Sequence, residues 1–345
     1  MKKVGIIGHF GFGLDLANGQ TIKTKIVVEE ISKNYENSVI TVDAHGGWRA
    51  IIPVLLGCVK IEFSCKNIII MLTENGLKIT VPILTLLNLI FKQSLHYIVI
   101  GGWLPSFIEN KPLLSRFLKK FSGIYVETNT MKFALQKLGF ANVFVMPNCK
   151  DLRILSKDEL VYNISQPYKL CTFSRVMKEK GIEDAVDAII EVNRKLRKTV
   201  YELDIYGQVD PTQLDWFTKL QSRFPSFIRY KGVVAFDKSV EVLKDYIALL
   251  FPTHFYTEGI PGTIIDANSA GIPVISARWE SYSDVVTDGV TGLGFEFDDF
   301  NNFVNVLRTV AEDPSLLLSL KEACLFKAID FSIESSLKPL FRNFA

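Results

Sequence analysis

Residues 251–296 read FPTHFYTEGIPGTIIDANSAGIPVISARWESYSDVVTDGVTGLGFE. An apolar strand end is followed by an acidic loop, a turn rich in Gly and Pro, a helix of small residues, a second apolar strand and a Gly-rich turn. Gly262 and Thr263 fall where the helix should begin. Free backbone N–H groups and the positive end of the helix dipole would there face an anion beyond the preceding strand, and a phosphate is the expected guest. Glu258 in the loop and Asp266 in the first turn are eight residues apart, so a carboxylate can reach either side of a ligand held at that terminus. Carboxylates accept hydrogen bonds from hydroxyls, so a phosphate flanked by two acids fits a nucleotide sugar. Thr263 to Asp266 also has the spacing of a capping box, in which case Asp266 would only close its own helix.

A second charged motif lies upstream. Leu170–Phe173 reads as a short apolar strand, and Arg175 and Lys180 follow it just before a helix with apolar residues at Ile182, Val186, Ile189 and Ile190. Two cations at the carboxyl end of a parallel strand suit a diphosphate, because that edge is where open parallel sheets bind ligands.

Together the two motifs resemble family 4 of the retaining glycosyltransferases. Glu258 and Asp266 correspond to its Glu-x7-Glu signature, with Asp as the second acid, and Arg175 and Lys180 to its Arg-x4-Lys segment. The resemblance implies a GT-B fold, that is, two Rossmann-like, doubly wound parallel-sheet domains facing a central cleft. It implies that Glu258 contacts the donor sugar, Asp266 the ribose, and Arg175 and Lys180 the diphosphate, with Gly259, Pro261, Gly262 and Thr263 completing the donor site. Arg175, Lys180 and Glu258 would carry catalysis. The shorter Asp266 leaves the ribose contact less well matched. In such enzymes the leaving phosphate oxygen is thought to take the acceptor's proton, so no side-chain base is required; no metal or cofactor is expected, because two cations and a helix dipole already occupy that role.

Length and composition agree with an enzyme of two α/β domains. A chain of 345 residues with 48% apolar content can bury two cores. Strands are expected at 4–7, 39–42, 68–72, 97–100, 123–126 and 143–146, with helices at 22–34, 48–56, 79–91, 113–120 and 129–138. A second round of strands is expected at 168–173, 202–206, 228–231, 248–251, 274–276 and 292–295. This gives an N-terminal acceptor domain at 1–150, a linker at 151–167, a donor domain at 168–330, and a segment at 331–345 returning to the first domain.

The first loop, GHFGFGLDLANGQTIKTK, holds four glycines but has Leu16 where the dinucleotide fingerprint needs glycine. The resemblance puts Gly19 and Gln20 of this loop near the donor phosphates; a long solvent-exposed turn is the competing reading. His254, four residues before Glu258, is placed behind the sugar site. The family's N-terminal-domain histidine has no counterpart after VIGG, where Gly102 and Trp103 stand; His9 and His45 follow other strands.

Residues 1–150 carry 17 Lys+Arg against 9 Asp+Glu, and residues 151–345 carry 22 against 28. The basic half is expected to meet an anionic partner. Nucleic acid is not expected, since the cations form no Arg-rich or aromatic-interleaved tract. An anionic membrane carrying a lipid-linked or oligosaccharide acceptor fits better, and the run NKPLLSRFLKKF suggests an interfacial helix with Leu113, Leu114, Phe117, Leu118 and Phe121 on one face. Five cysteines without metal-ligand spacing, no leader-like start, and a longest apolar stretch of about eleven residues suggest a cytoplasmic enzyme, peripheral on the inner membrane face. The wording of 258–279 is similar to that of bacterial capsule and exopolysaccharide transferases, so a growing polysaccharide or lipid-linked oligosaccharide acceptor is expected, with a UDP-hexose as the donor. A nucleotide-sugar epimerase of the same fold and a noncatalytic subunit of a transferase complex are the alternatives.

Overall fold

The computed structural model describes residues 3–12, 19–35, 38–162 and 164–344. They form two compact units, one of residues 1–150 with 332–345, the other of residues 151–331. The first unit runs β1 (Lys3–Gly8), α1 (Gly19–Asn34), β2 (Val39–Asp43), α2 (Ile51–Ser64), β3 (Cys65–Met71) and α3 (Glu74–Phe91). It continues through β4 (Ser94–Ile98), α4 (Leu104–Glu109), α5 (Pro112–Leu118), β5 (Gly123–Val126), α6 (Asn129–Lys137) and β6 (Val143–Val145). Its six strands are parallel in the order β2-β1-β3-β4-β5-β6.

The second unit runs β7 (Tyr168–Phe173), α7 (Ile182–Leu196), β8 (Tyr201–Tyr206), α8 (Leu214–Gln221), β9 (Ile228–Gly232), α9 (Ser239–Leu243) and β10 (Ala248–Phe251). Then come α10 (Gly262–Ser269), β11 (Val274–Ala277), α11 (Tyr282–Val285), β12 (Gly292–Phe295), α12 (Phe300–Glu312), α13 (Ser315–Leu318) and α14 (Lys321–Ile329). Its sheet is also parallel, ordered β12-β11-β10-β7-β8-β9. The last helix, α15 (Ile333–Arg342), groups with the first unit, where Leu337 and Leu340 join the core of β1 and α1.

Residues buried on both faces of a parallel sheet should read as unbroken apolar runs, and Ile68, Ile69, Ile70 and Met71 of β3 are all fully buried. Helix α7 shows why its sequence is helical. Glu183 and Asp184 occupy its first turn, Arg194 and Lys195 its last, and Ile182, Val186 and Ile189 are buried on one face.

Three expectations are corrected. The stretch 151–167 packs as part of the second unit: Leu155 is buried and its N–H donates to the Ser269 carbonyl at 3.0 Å. The expected interfacial helix, α5, turns its apolar face inward, with Leu114, Leu118 and Phe121 buried and only Leu113 strongly exposed. Helix α3 starts five residues before its apolar run, and at 18 residues it is long and apolar enough to cross a membrane by length and composition.

Glu62 of α2 is fully buried, and neither carboxylate oxygen has a hydrogen-bond partner among the described residues. Burial alone pushes its carboxyl up to about 7. The unfolded chain therefore loses this proton at lower pH than the native state, and native stability falls as pH rises from about 4.5 to about 7. Glu62→Gln removes that pH-dependent loss. Denaturant titrations should show the variant gaining on the wild type across this window by up to about 3 kcal/mol, with no further change above it. A stability difference independent of pH would exclude the assignment.

Candidate donor-binding site

The second sheet reverses its direction of growth between β7 and β10. The chain goes from β7 to β8 and β9 on one side, then returns to add β10, β11 and β12 on the other. The loops after β7 and β10 leave neighbouring strand ends and part around a gap, the topological switch point at which such sheets hold ligands. These two loops carry the two charged motifs.

Gly181 fixes their approach. It closes a 3-10 turn at Lys178–Lys180 in the left-handed conformation, φ 68°, and a Cβ there would lie 1.8 Å from the Pro252 carbonyl oxygen. Only glycine fits this backbone and this gap. Further contacts hold the loops together: His254 N–H donates to the Glu179 carbonyl at 2.9 Å, and the Lys180 ammonium pairs with the Glu258 carboxylate. Both partners of this pair are mostly buried, and Lys180 Nζ lies 5.4 Å from the Phe251 ring centroid and 5.0 Å from that of Phe255. Arg175 is half-exposed beside Asp210 at 3.7 Å, a loose pairing that leaves most of its guanidinium in solvent. Gly207 does at β8 what Gly181 does at β7: at φ 131° its missing Cβ makes room for the Ser174 carbonyl next to Arg175.

Helix α10 begins at Gly262, with Pro261 as N-cap and no side chain capping it. Gly259 and Pro261 are buried, and Gly262 is half-buried. Thr263 is the second helical residue, and its buried Oγ1 has no hydrogen-bond partner among the described residues. The capping-box reading therefore fails, since Thr263 lies inside the helix, not at its cap. Asp266 sits beyond the first turn, buried, and accepts a hydrogen bond from Ser239 Oγ of α9 at 2.9 Å. An orphaned hydroxyl beside an uncapped helix terminus is a polar vacancy suited to an anion. His254 is held by two acids, Asp298 at 2.6 Å and Asp184 at 3.0 Å, which fix its ring in the same loop.

In the first unit the corresponding reversal lies between β1 and β3. Gly19 and Gln20, expected just ahead of a helix, are the first residues of α1. Gln20 lines a cavity of about 550 Å³ at the carboxyl ends of β1, β2 and β3, together with His9, Leu72 and Thr73. His9 and His45 are hydrogen-bonded at 2.8 Å, and His9 also meets Thr21 Oγ1 at 3.1 Å. Burial, and then His45, hold His9 below its ordinary pKa. Asp43 accepts the N–H groups of Phe10, Phe12 and His45, so it shapes the loop after β1, as a strand-end acid would. Sequence reading left this histidine pair unassigned; its signal is that each residue lies just past the end of a neighbouring strand. Trp103, where the family has histidine nearby, donates to the Ile100 carbonyl.

Gly181→Ala should force the two loops apart. It combines left-handed strain with a backbone overlap, and should cost at least about 2 kcal/mol and release the Lys180–Glu258 pair. Thermal unfolding checks the first effect. A variant as stable as wild type would show that the loops do not depend on this contact.

Comparison with known proteins agrees with this geometry. Residues 167–313 match the family model described as Glycosyl transferases group 1. Over 151 residues, 43% of this chain, the sequence is 26% identical to a glycogen synthase of Mycobacterium tuberculosis, of which the match covers 35%. The chain thus spans about a third of the length of the curated relatives it matches. Among solved structures, HepE of Anabaena in complex with UDP and glucose is similar with a TM-score of 0.72 over 99% of both chains at 14% identity. Sucrose-phosphate synthase from Thermosynechococcus elongatus gives 0.76 over 99% of this chain and 98% of its own at 12% identity. The chain has the GT-B fold, and its residues 167–313 are similar to the group 1 glycosyl transferases.

Proposed function

We propose that this protein is a retaining glycosyltransferase that moves a hexose from a UDP-sugar to a growing polysaccharide or lipid-linked oligosaccharide. The observation that carries this reading is the pairing of Lys180 with Glu258 across the switch point, with Arg175 on the same loop as Lys180 and the uncapped helix start with its orphaned Thr263 hydroxyl following Glu258. Structures similar to this one hold UDP or UDP-glucose, which supports the donor class.

In this reaction the bond from the sugar's anomeric carbon to the phosphate oxygen breaks, and a bond from the acceptor oxygen to that carbon forms on the same face. The acceptor's proton passes to the departing phosphate oxygen, leaving UDP and the glycosylated acceptor. Negative charge grows on the diphosphate as the bond breaks. Arg175, Lys180 and the N–H groups at the start of α10 are fixed donors for that charge, which lowers the barrier without a metal. Glu258, freed from Lys180 or shared with it, would accept hydrogen bonds from the sugar hydroxyls. Asp266 would act from inside the helix, on the ribose side. The reaction would take place in the reducing cytoplasm, where the five buried cysteines stay thiols.

A thermal-shift screen against UDP-, GDP- and dTDP-sugars should raise the melting temperature with a UDP-hexose, because a ligand bound only by the native state stabilises it. With the donor so identified, Arg175→Ala or Lys180→Ala should cut turnover by about 10²–10³; the fold should survive loss of the half-exposed Arg175 unchanged, whereas Lys180→Ala also lowers stability by leaving Glu258 unpaired. Glu258→Gln should lower transfer more than nucleotide affinity. Near-normal transfer by the Arg175 and Lys180 variants would overturn the site. An epimerised donor formed without an acceptor would replace transferase with epimerase.

A further inference from the structure

Helices α2 and α3 present an apolar surface that the fold does not cover. In α2 the exposed large apolar side chains are Ile52, Leu56, Val59 and Phe63, spaced i, i+4, i+7, i+11, so they form one stripe. In α3 Ile79, Leu86, Leu89 and Ile90 are exposed, and half-buried Ile83 completes the same spacing with Ile79, Leu86 and Ile90. Leu56, Phe63 and Ile90 are each at least 68% exposed. These are not scattered surface hydrophobes, which need no explanation.

Topology sets the stripes side by side. The connections β2→β3 and β3→β4 run in the same direction across the sheet, so right-handed crossovers put α2 and α3 on one face as neighbours. Their carboxyl ends touch through the Phe63 and Phe91 rings, 4.4 Å between centroids.

The charges bordering these helices are nearly all of one sign. Arg49, Lys60, Lys66, Lys78 and Lys92 are exposed, whereas of the two acids between residues 47 and 92 Glu62 is buried and only Glu74 is exposed. Lys60 falls in line with Leu56 and Phe63, one helical turn from each, so a cation stands within the apolar stripe. A second copy of this chain would bring like charges together. A bilayer of anionic lipids satisfies both features at once, since acyl chains cover the apolar side chains and headgroups pair with the cations.

We propose that the α2–α3 face docks this protein on an anionic lipid bilayer. The contact lies on the first unit alone and does not depend on the transferase reading. Lys78 and Ile79 also line the 550 Å³ cavity at the strand ends, so docking sets that cavity beside the headgroup layer.

The full chain should sediment with vesicles of phosphatidylcholine and phosphatidylglycerol at low salt, and much less with phosphatidylcholine alone or at high salt. Leu56→Ser with Ile90→Ser should weaken binding at least tenfold, with melting temperature and UDP-sugar thermal shift unchanged. Lys60→Gln and Lys92→Gln should each weaken it about fivefold. Absence of sedimentation with anionic vesicles at low salt, or binding unchanged in the Leu56/Ile90 variant, would overturn the proposal. So would a dimer in sedimentation velocity that the same two substitutions dissolve, which would assign the face to a second copy. A lost UDP-sugar shift in the wild type with vesicle binding intact would count against the donor site only.

Discussion

The contact of Gly181 with the Pro252 carbonyl is the constraint on which the candidate site depends. Strand order brings the ends of β7 and β10 together, but strand ends leave their loops free to diverge. The absent side chain at position 181 lets one loop lie directly against the other's backbone. Lys180 then reaches Glu258 across 78 residues of sequence, and His254 donates to Glu179 in the same seam. A partly buried ion pair of this kind gains little stability on its own, because desolvation offsets attraction. Its consequence is positional: a cation and a carboxylate are held in place where the two loops meet.

The two units use one architecture for different surroundings. In the second, the switch point is charged and abuts a helix start lacking a cap. In the first, the equivalent strand ends open into a cavity whose lining includes His9, which is hydrogen-bonded to His45. The outer helices differ as well. Helix α12 buries Phe303, Val304, Leu307 and Val310 on its sheet, whereas α2 and α3 keep whole apolar stripes exposed. Exposed stripes of this size cost solubility unless something covers them.

Asp266 illustrates how one residue can be read two ways until its neighbours are known. Its spacing from Thr263 fits a capping box, yet the helix begins one residue earlier and α9 brings Ser239 Oγ to its carboxylate. The interfacial helix near 113–121 fails for a related reason. Its apolar spacing is real, but α5 spends it on the core, and the exposed apolar surface lies on α2 and α3 instead. Periodicity shows that a helix has an apolar face and is silent on what that face meets.

Local chemistry made most of the fold legible. Alternating apolar runs and amphipathic stretches gave twelve strands in two parallel sheets, since a strand buried on both faces cannot hide its composition. Short spacings named Arg175, Lys180, Glu258 and the helix start at Gly262, because each is local to one loop. The sequence could not show which loops meet, since that follows from strand order, nor that 151–167 belongs to the second unit, since a mostly polar stretch can pack through a few apolar residues, here Leu155 with Leu152, Ile154 and Leu160. Nor could it show that Thr263 lacks a partner, or that α2 and α3 lie uncovered. Contact, satisfaction and exposure are properties of the surroundings of a residue, and only the tertiary structure supplies those surroundings.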